Sequence, residues 1–386
     1  MFGDTIDLTE YFTDGGEYIE IGPLDNPKLK KDECNVYYLD YRSTDEIKEV
    51  YKNSYAILDS IVNIDYATGN RTYRETVGTK KFDAVYSSHC IEHTFDIIGH
   101  LNDVCSILKE NGRYVLVIPD CENSFDLFRQ PTTFREAYSV FKGGSVIPFV
   151  ADSIINTKPY YNKEDVKLFW GKEVSLTLEL CSEEPRLRDF IEVHKKKQAD
   201  VLNQGSYHIW TFSKISILEI IRDSLRLGLI QFELERFEPI SNENNYNMYL
   251  VLKKNSELAN NYSRRLAQIL KCQLIIEKYR GFRNKLYDLI SGSCSTTRLY
   301  IYGAGVLGRN LYGALSELYK GSIEFVVTDG QTIDDDVKEK TVFLSSLNNG
   351  DDTLVIIGTA NREIYKDMEE NLAKRGFEKN INYIAM

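Results

Sequence analysis

The stretch Phe82-Asp83-Ala84-Val85-Tyr86-Ser87-Ser88-His89-Cys90-Ile91-Glu92-His93 admits two readings. Its second half contains H-x-x-E-H. In zinc peptidases that pattern sets two histidines on one helical face around a metal, and the glutamate handles the proton. Its first half, F-D-A-V-Y-S, is a short apolar run of the kind that forms a strand. A strand that runs straight into His89 puts this histidine at a strand-to-helix turn, where the helical i, i+4 geometry is not available. His100, His194 and His208 add no second paired motif. The strand therefore decides the reading: a corner of a sheet, with no metal expected. For His93 a local packing or hydrogen-bonding role at a helix start is the competing view, with Glu92 favoured there by the helix dipole.

Working outward, similar strands recur. Tyr18-Ile19-Glu20-Ile21 is ended by Gly22-Pro23, and Asn35 to Asp40 is a second strand. Ile47, Val50, Tyr51 and Tyr55 then mark a helix, and Ser60 to Asp65 reads as a third strand. Phe82 to Ser87 is the fourth. Leu101, Val104, Cys105 and Leu108 mark a helix stopped by Asn111-Gly112, and Tyr114 to Pro119 is a fully apolar fifth strand. Repeated units of this kind imply an α/β fold, a doubly wound sheet with right-handed crossovers. The rhythm breaks from Cys121 to about residue 205, a charged, aromatic stretch with Phe125, Phe128, Phe134, Tyr160, Tyr161 and Trp170 that reads as a helical insertion or lid. It resumes with a helix from Ile215 to Leu227 and strands at 230–235 and 247–252, which should pair as a hairpin at the sheet edge.

Residues 255–290 read as a long helix, with Leu258, Tyr262, Leu266, Ile269, Leu270, Ile276 and Tyr279 at intervals of three and four and Gly281 interrupting. It serves as a linker, or else as the seam of a homodimer. The expected domains are 1–254 with its insertion at 121–205, a linker helix at 255–292, and a second, smaller α/β domain at 293–386.

Composition narrows the function. The chain has 386 residues and a formal net charge of -11, which argues against a nucleic-acid binder. The one short basic run, His194-Lys195-Lys196-Lys197, reads as a solvated helix face. Seven scattered cysteines without C-x-x-C suit reduced thiols. No secretory apolar segment opens the chain, and no run approaches the ~20 residues of a membrane span. A cytoplasmic protein without a membrane span is expected.

The C-terminal region carries the more conspicuous motif. Strand Leu299 to Tyr302 runs into Gly303-Ala304-Gly305-Val306-Leu307-Gly308, a G-x-G-x-x-G before a helix, and Phe325 to Thr328 ends in Asp329. The spacing fits a dinucleotide fingerprint, with Gly303, Gly305, Gly308 and Asp329 as a second nucleotide-type site. Only three strand signals are visible there, about half of a full dinucleotide fold, so the glycines could equally serve a tight turn alone.

The N-terminal region looks poorer, with one glycine in Glu20-Ile21-Gly22-Pro23-Leu24-Asp25-Asn26-Pro27. Its acids are nevertheless ordered: Glu20 in strand one, Asp40 after strand two, Asp65 after strand three. Then come S-S-H-C-I-E-H, the fifth strand ending in Pro119-Asp120, the segment Asn123 to Thr132 (N-S-F-D-L-F-R-Q-P-T), and H-x-W-T-F at His208 to Phe212. This run, over about residues 15–255, resembles class I S-adenosylmethionine-dependent methyltransferases, and more narrowly a branch associated with bacterial surface-glycan biosynthesis.

The resemblance implies a methyltransferase sheet with S-adenosylmethionine as cofactor. Glu20, Gly22 and Pro23 would lie at the methionine part, Asp40 at the ribose, Asp65 near the adenine, and Ser87, Ser88 and His89 along the cofactor and acceptor. The implied reaction is methylation of a sugar or sugar-linked group of a surface polysaccharide, its substrate a sugar, nucleotide-sugar or glycan. A hydroxyl acceptor needs a base, and His89 and His208 are the candidates. The alternatives are a non-catalytic or sugar-nucleotide-binding protein working through the C-terminal domain, and an NAD(P)-dependent enzyme using the C-terminal glycine loop. The sparse first loop is the feature that departs from the family's glycine-rich form.

Overall fold

A computed structural model describes residues 8–13, 15–52, 58–124, 126, 129–156, 193, 207–239, 247–281, 285–291, 298–350, 352–379 and 383–385. The chain forms two compact units, one of residues 1–224 with 229–256, the other of 225–228 with 257–386.

The first unit is built on a seven-stranded sheet of order β3-β2-β1-β4-β5-β7-β6. Its strands are β1 (Tyr18–Ile21), β2 (Val36–Asp40), β3 (Tyr66–Ala67), β4 (Phe82–Ser88), β5 (Leu108–Pro119), β6 (Phe232–Pro239) and β7 (Asn247–Lys254). Strands β1 to β5 pair in parallel, and β7 runs antiparallel to both β5 and β6. The edge hairpin expected from the short link between the last two strands is present. All four residues of β1 are buried, as a central strand covered on both faces requires. One face packs Tyr18, Tyr38, Tyr86, Val115, Val117 and Val251 into a single core.

The helices start where local chemistry satisfies their free amides. α1 (Thr44–Tyr51), α2 (Tyr73–Val77) and α4 (Phe134–Phe141) each open with a reciprocal capping box, Ser43 with Glu46, Thr72 with Glu75, and Thr133 with Glu136. Asp96 caps α3 (Ile97–Ile107). α5 (Ile147–Asn156) and α6 (Lys214–Arg226) complete the described helices of this unit. Of the expected insertion, α4, α5 and the turn Cys121–Asn123 are described. Tyr160, Tyr161, Trp170 and the basic run at 194–197 lie outside the described residues, as do Tyr55, Phe125 and Phe128.

Several boundaries differ from the sequence reading, among them that of the strand expected at 230–235, which is Phe232–Pro239. The third strand is not Ser60 to Asp65 but Tyr66–Ala67. The apolar run before it sends its amides elsewhere, Val62 to the carbonyl of Leu24 and Ile64 to Thr44 Oγ1, so it is buried without joining the ladder. The helix after β4 ends at Ile107, and Leu108 already pairs with Phe82. Leu108 is fully buried in the strand, so its helical spacing was uninformative. Asn111, at φ 63°, and Gly112 shape an irregularity inside β5 rather than a helix stop.

The second unit holds a five-stranded, all-parallel sheet of order β10-β9-β8-β11-β12. The strands are β8 (Arg298–Tyr302), β9 (Ile323–Val327), β10 (Thr341–Phe343), β11 (Thr353–Ile357) and β12 (Tyr383–Ala385). The count of three was two strands short. β10 and β12 have three residues each, too few for an alternation to show. The expected long helix is two, α7 (Tyr262–Tyr279) and α8 (Lys285–Ile290), with Gly281 at φ 80° just after the first. Leu270 and Leu274 of α7, Leu286 and Leu289 of α8, and Leu311 and Leu315 of α9 (Val306–Leu318) share one core with the sheet. Of the apolar stripe that suggested a dimer seam, Leu258, Leu270 and Ile276 are buried within the chain and Tyr262 is exposed. α10 (Arg362–Lys374) covers the other face through Met368 and Leu372. Among the described residues, no helix is long and apolar enough to cross a membrane.

Candidate functional site

In the first unit the chain winds from β1 outward through β2 and β3, then returns to lay β4 and β5 on the other side of β1. Open α/β sheets bind ligands at such a reversal, beyond the carboxyl ends of the strands. The register brings the ends level: Ile21 lies beside Leu39 and Ser87, Asp40 beside Ala67, and Ser88 beside Val117.

Gly22 turns the chain out of β1 at φ 69°, a conformation that a side chain would strain. A Cβ there would stand 3.7 Å from Cys90 Sγ, so the first loop and the turn after β4 are close neighbours. Glu20 is buried and does not face the crevice as a free carboxylate. Its two oxygens accept the amides of Lys28 and Leu29 at 2.9 and 2.8 Å and hold the loop in place. Burial raises its pKa to about 7 even though these two bonds favour the charge. No helix lies between β1 and β2. The loop therefore presents no helix N-terminus, the usual seat of a phosphate.

Asp40 ends β2. One oxygen accepts the amide of Arg42 at 3.0 Å, and burial still raises its pKa. Asp65 precedes β3 instead of following it. Its carboxylate accepts the amide of Tyr38 at 2.8 Å and pairs with Lys31 at 2.8 Å, below the carboxyl edge. The residues that leave β3 at that edge are Thr68 and Gly69. With Tyr41, Arg42, Asn70 and Arg71 they line a recess of about 470 Å³. The third strand begins only after Asp65, where the sequence reading had ended it, and that shift is what moved this position.

Behind the ends of β4 and β5 runs a buried chain of hydrogen bonds. Ser87 Oγ lies 2.8 Å from Tyr114 Oη, Tyr114 Oη 2.7 Å from His100 Nε2, and His100 Nδ1 3.0 Å from Tyr73 Oη. Burial lowers His100 to about 4, so it is neutral at ordinary pH and passes one bond on in each direction. Ser87 is thus turned into the sheet rather than toward the crevice.

His89 leaves β4 at φ 50°, with its amide bonded to Val117 O. Its Nε2 lies 2.9 Å from Asn247 Oδ1, and its Nδ1 lies 3.5 Å from Glu92 Oε1. Ile91–His93 is a single 3-10 turn, so H-x-x-E-H does not form one helical face. His93 donates its Nδ1–H to the carbonyl of Tyr207 at 2.8 Å, and its ring stands 4.7 Å from that of His208. Burial lowers the pKa of His93, the neighbouring Glu92 opposing it.

His208 donates Nδ1–H to Asp126 Oδ2 at 2.6 Å, and Arg129 donates to Asp126 Oδ1 at 3.0 Å. Burial would raise Asp126, but His208 and then Arg129 outweigh it and hold the carboxylate below its ordinary range. Arg129 is buried and also bonds the carbonyls of His208 and Ile209 and the carboxylate of Asp152. The neighbouring backbone locks the same way. Trp210 N donates to Glu92 O, its indole to Thr94 O, and Thr132 N to Thr211 O. The two motifs quoted from opposite sides of the insertion are therefore one interlocked structure. The sequence reading named His208 without its partners Asp126 and Arg129. The D-x-x-R spacing inside the 123–132 segment was the available signal.

In the second unit, Gly303 turns at φ 110°, and a Cβ on Gly308 would meet Gly303 O at 1.8 Å, so these two serve the turn and the seating of α9 on the sheet. A Cβ on Gly305 would meet nothing within 4 Å. Asp329 stands after β9 as expected, but Ser345 donates to it from both N and Oγ, at 3.1 and 2.5 Å.

No family model matches the chain, and no curated protein matches it. Solved structures do overlap it in part. A mitomycin 7-O-methyltransferase is 10% identical with a TM-score of 0.29, over 65% of this chain and 51% of that one. This chain thus spans about half the length of that protein. A SAM-dependent methyltransferase from Methanosarcina mazei is 12% identical with a TM-score of 0.30, over 64% of this chain and 96% of that one. The CcbJ methyltransferase from Streptomyces caelestis is 12% identical with a TM-score of 0.23, over 33% and 50%.

Proposed function

We propose that the first unit is an S-adenosylmethionine-dependent methyltransferase acting on a hydroxyl of a sugar or sugar-linked group, in the making of a bacterial surface polysaccharide. One observation carries the reading. The sheet's reversal opens on a helix-free loop held by Glu20, with Asp40 at the end of β2. Such a crevice lacks the helix N-terminus that a diphosphate wants, and it offers a carboxylate to ribose hydroxyls. A cofactor with a ribose, a cationic sulfonium and no phosphate suits both features. Gly22 and Pro23 would lie along its methionine part, and the recess at Thr68 and Gly69 would take the adenine end.

The transfer is a direct displacement. S-adenosylmethionine, when bound, would supply the methyl group that the acceptor oxygen displaces from sulfur, and the acceptor's proton would pass to a base of the protein. The protein supplies alignment and that base. His89, at the end of β4, and His208, oriented by Asp126, are the two positions for it. The sugar and the polysaccharide pathway rest on the motif resemblance alone.

A second reading applies to the second unit. Gly305 leaves open space at the start of α9, which suits a nucleotide-sugar diphosphate, although Ser345 already engages the acid at the ribose position. Calorimetric titration with S-adenosylmethionine, NAD(P)H and nucleotide-sugars separates these readings. S-adenosylmethionine should bind the wild type and Asp329→Ala alike and fail on Asp40→Ala. If the wild type does not bind it, the methyltransferase reading is lost.

A further inference from the structure

The turn after β4 and the segment after the insertion bring Glu92, His93 and His208 together. We propose that Glu92, His93 and His208 bind one divalent transition-metal ion, of the zinc, cobalt(II) or iron(II) class, through one carboxylate oxygen and two imidazole Nε2 atoms. One potential ligand atom from each of the three lies within 4.8 Å of the others. Ligands ~2.1 Å from a shared ion stand at most ~4.2 Å apart, so small side-chain rotations close the set.

Two independent features point to a ligand there. The first is Glu92, which is fully buried, with neither carboxylate oxygen in a hydrogen bond among the described residues. Among the described residues, the ring nitrogens that approach it are those of His89 at 3.5 Å and His93 at 4.0 Å. A buried carboxylate without donors is costly, and a bound cation relieves that cost. The second is the orientation of the rings. A metal-bound histidine characteristically donates its other ring N–H to a carboxylate or a backbone carbonyl, which sets both tautomer and aim. His208 does so to Asp126 at 2.6 Å, and His93 to Tyr207 O at 2.8 Å. Both bonds use Nδ1, so both rings meet the ion through Nε2.

Two imidazoles with one carboxylate favour a borderline ion over magnesium or calcium, which prefer oxygen alone. The side chains of His93 and His208 are 30% and 10% exposed, which leaves an entry path. Binding itself does not depend on the methyltransferase reading. Its consequence rests on that reading: with the ion in place His208 is a ligand, and His89 is left as the base.

The test uses the full chain, stripped with a chelator and titrated with cobalt(II) and zinc. One equivalent should bind, with a visible cobalt band and two paramagnetically shifted ring N–H signals, one from each Nδ1–H. Glu92→Gln and His93→Ala should each weaken binding at least a hundredfold and Asp126→Asn about tenfold, while Glu33→Gln, in an exposed pair with Lys30, should not change it. Circular dichroism checks the fold of each variant, and the two shifted signals are read on the wild type, so the proposal does not depend on any variant folding. No stoichiometric binding by the wild type, equal binding by the Glu92 and His93 variants, or uptake of magnesium as tight as cobalt would each overturn the site. S-adenosylmethionine titration of the stripped protein is a separate readout, so loss of one proposal does not imply loss of the other.

Discussion

The two units turn out of their first strands in opposite ways. After β8 the second unit uses three glycines, and each has a distinct reason: Gly303 for the turn, Gly308 for the close seating of α9, Gly305 for open space. After β1 the first unit uses a single glycine and no helix. A buried carboxylate does the shaping, since Glu20 ties down the amides of Lys28 and Leu29. The lesson is that glycine count reports how closely backbone must approach backbone or phosphate. It says little about a crevice whose proposed ligand carries no phosphate. The richer-looking motif is in large part explained by packing, and the poorer-looking one opens on the more varied set of polar side chains.

Substitutions can break or sharpen this contrast. The largest effect should come from Asp40→Ala, with S-adenosylmethionine affinity falling a hundred- to a thousandfold, about 3–4 kcal/mol, by calorimetry. Gly308→Ala comes next. Its Cβ would overlap the backbone oxygen of Gly303, and denaturant unfolding of the second unit should show a loss of about 3 kcal/mol. If Gly308→Ala were neutral, the packing account of the motif would fail.

A third test concerns the chain of bonds behind the crevice. His100 has a folded pKa of about 4, below the ordinary 6.5. A depressed histidine binds fewer protons folded than unfolded, so its contribution is present above pH 6.5 and is lost as pH falls toward 4. Between pH 8 and pH 5 this amounts to about 2 kcal/mol. His100→Gln should flatten the melting temperature across that interval, and an unchanged slope would remove His100 as its source. The smallest effects belong to Gly305→Ala and Asp329→Ala. Gly305→Ala should change stability by no more than about 0.5 kcal/mol, because nothing occupies the space. A weakened nucleotide-sugar titration in the same variant would favour a ligand at that loop.

Much of the architecture was legible in the chain. Strands β1, β2, β4 and the apolar part of β5 follow from runs of buried residues, and the edge hairpin follows from a short link. Strand β3 was misplaced because an apolar run can be buried without joining a ladder, and only the destinations of its amides tell the two apart. The same limit hid β10 and β12, which are shorter than any period. At the site, Gly22, Asp40 and His89 fall at the carboxyl ends of their strands. Asp65 and Ser87 are engaged in bonds that no spacing could foretell.

The sequence by itself determined two α/β units, the ordered acids, and a histidine at the end of the fourth strand, because each depends on patterns within a few neighbouring residues. It also placed H-x-x-E-H at a strand corner with no metal expected; Ile91–His93 is a 3-10 turn, and the metal proposed at Glu92, His93 and His208 departs from that expectation. What only the tertiary structure decided is the company those residues keep. His93 and His208 are 115 positions apart in the chain, yet their rings stand 4.7 Å apart beside Glu92. Trp210 holds the two segments together there, its amide bonded to the carbonyl of Glu92 and its indole to that of Thr94. Folding sets such a distance through bonds between remote segments, and no local spacing encodes it.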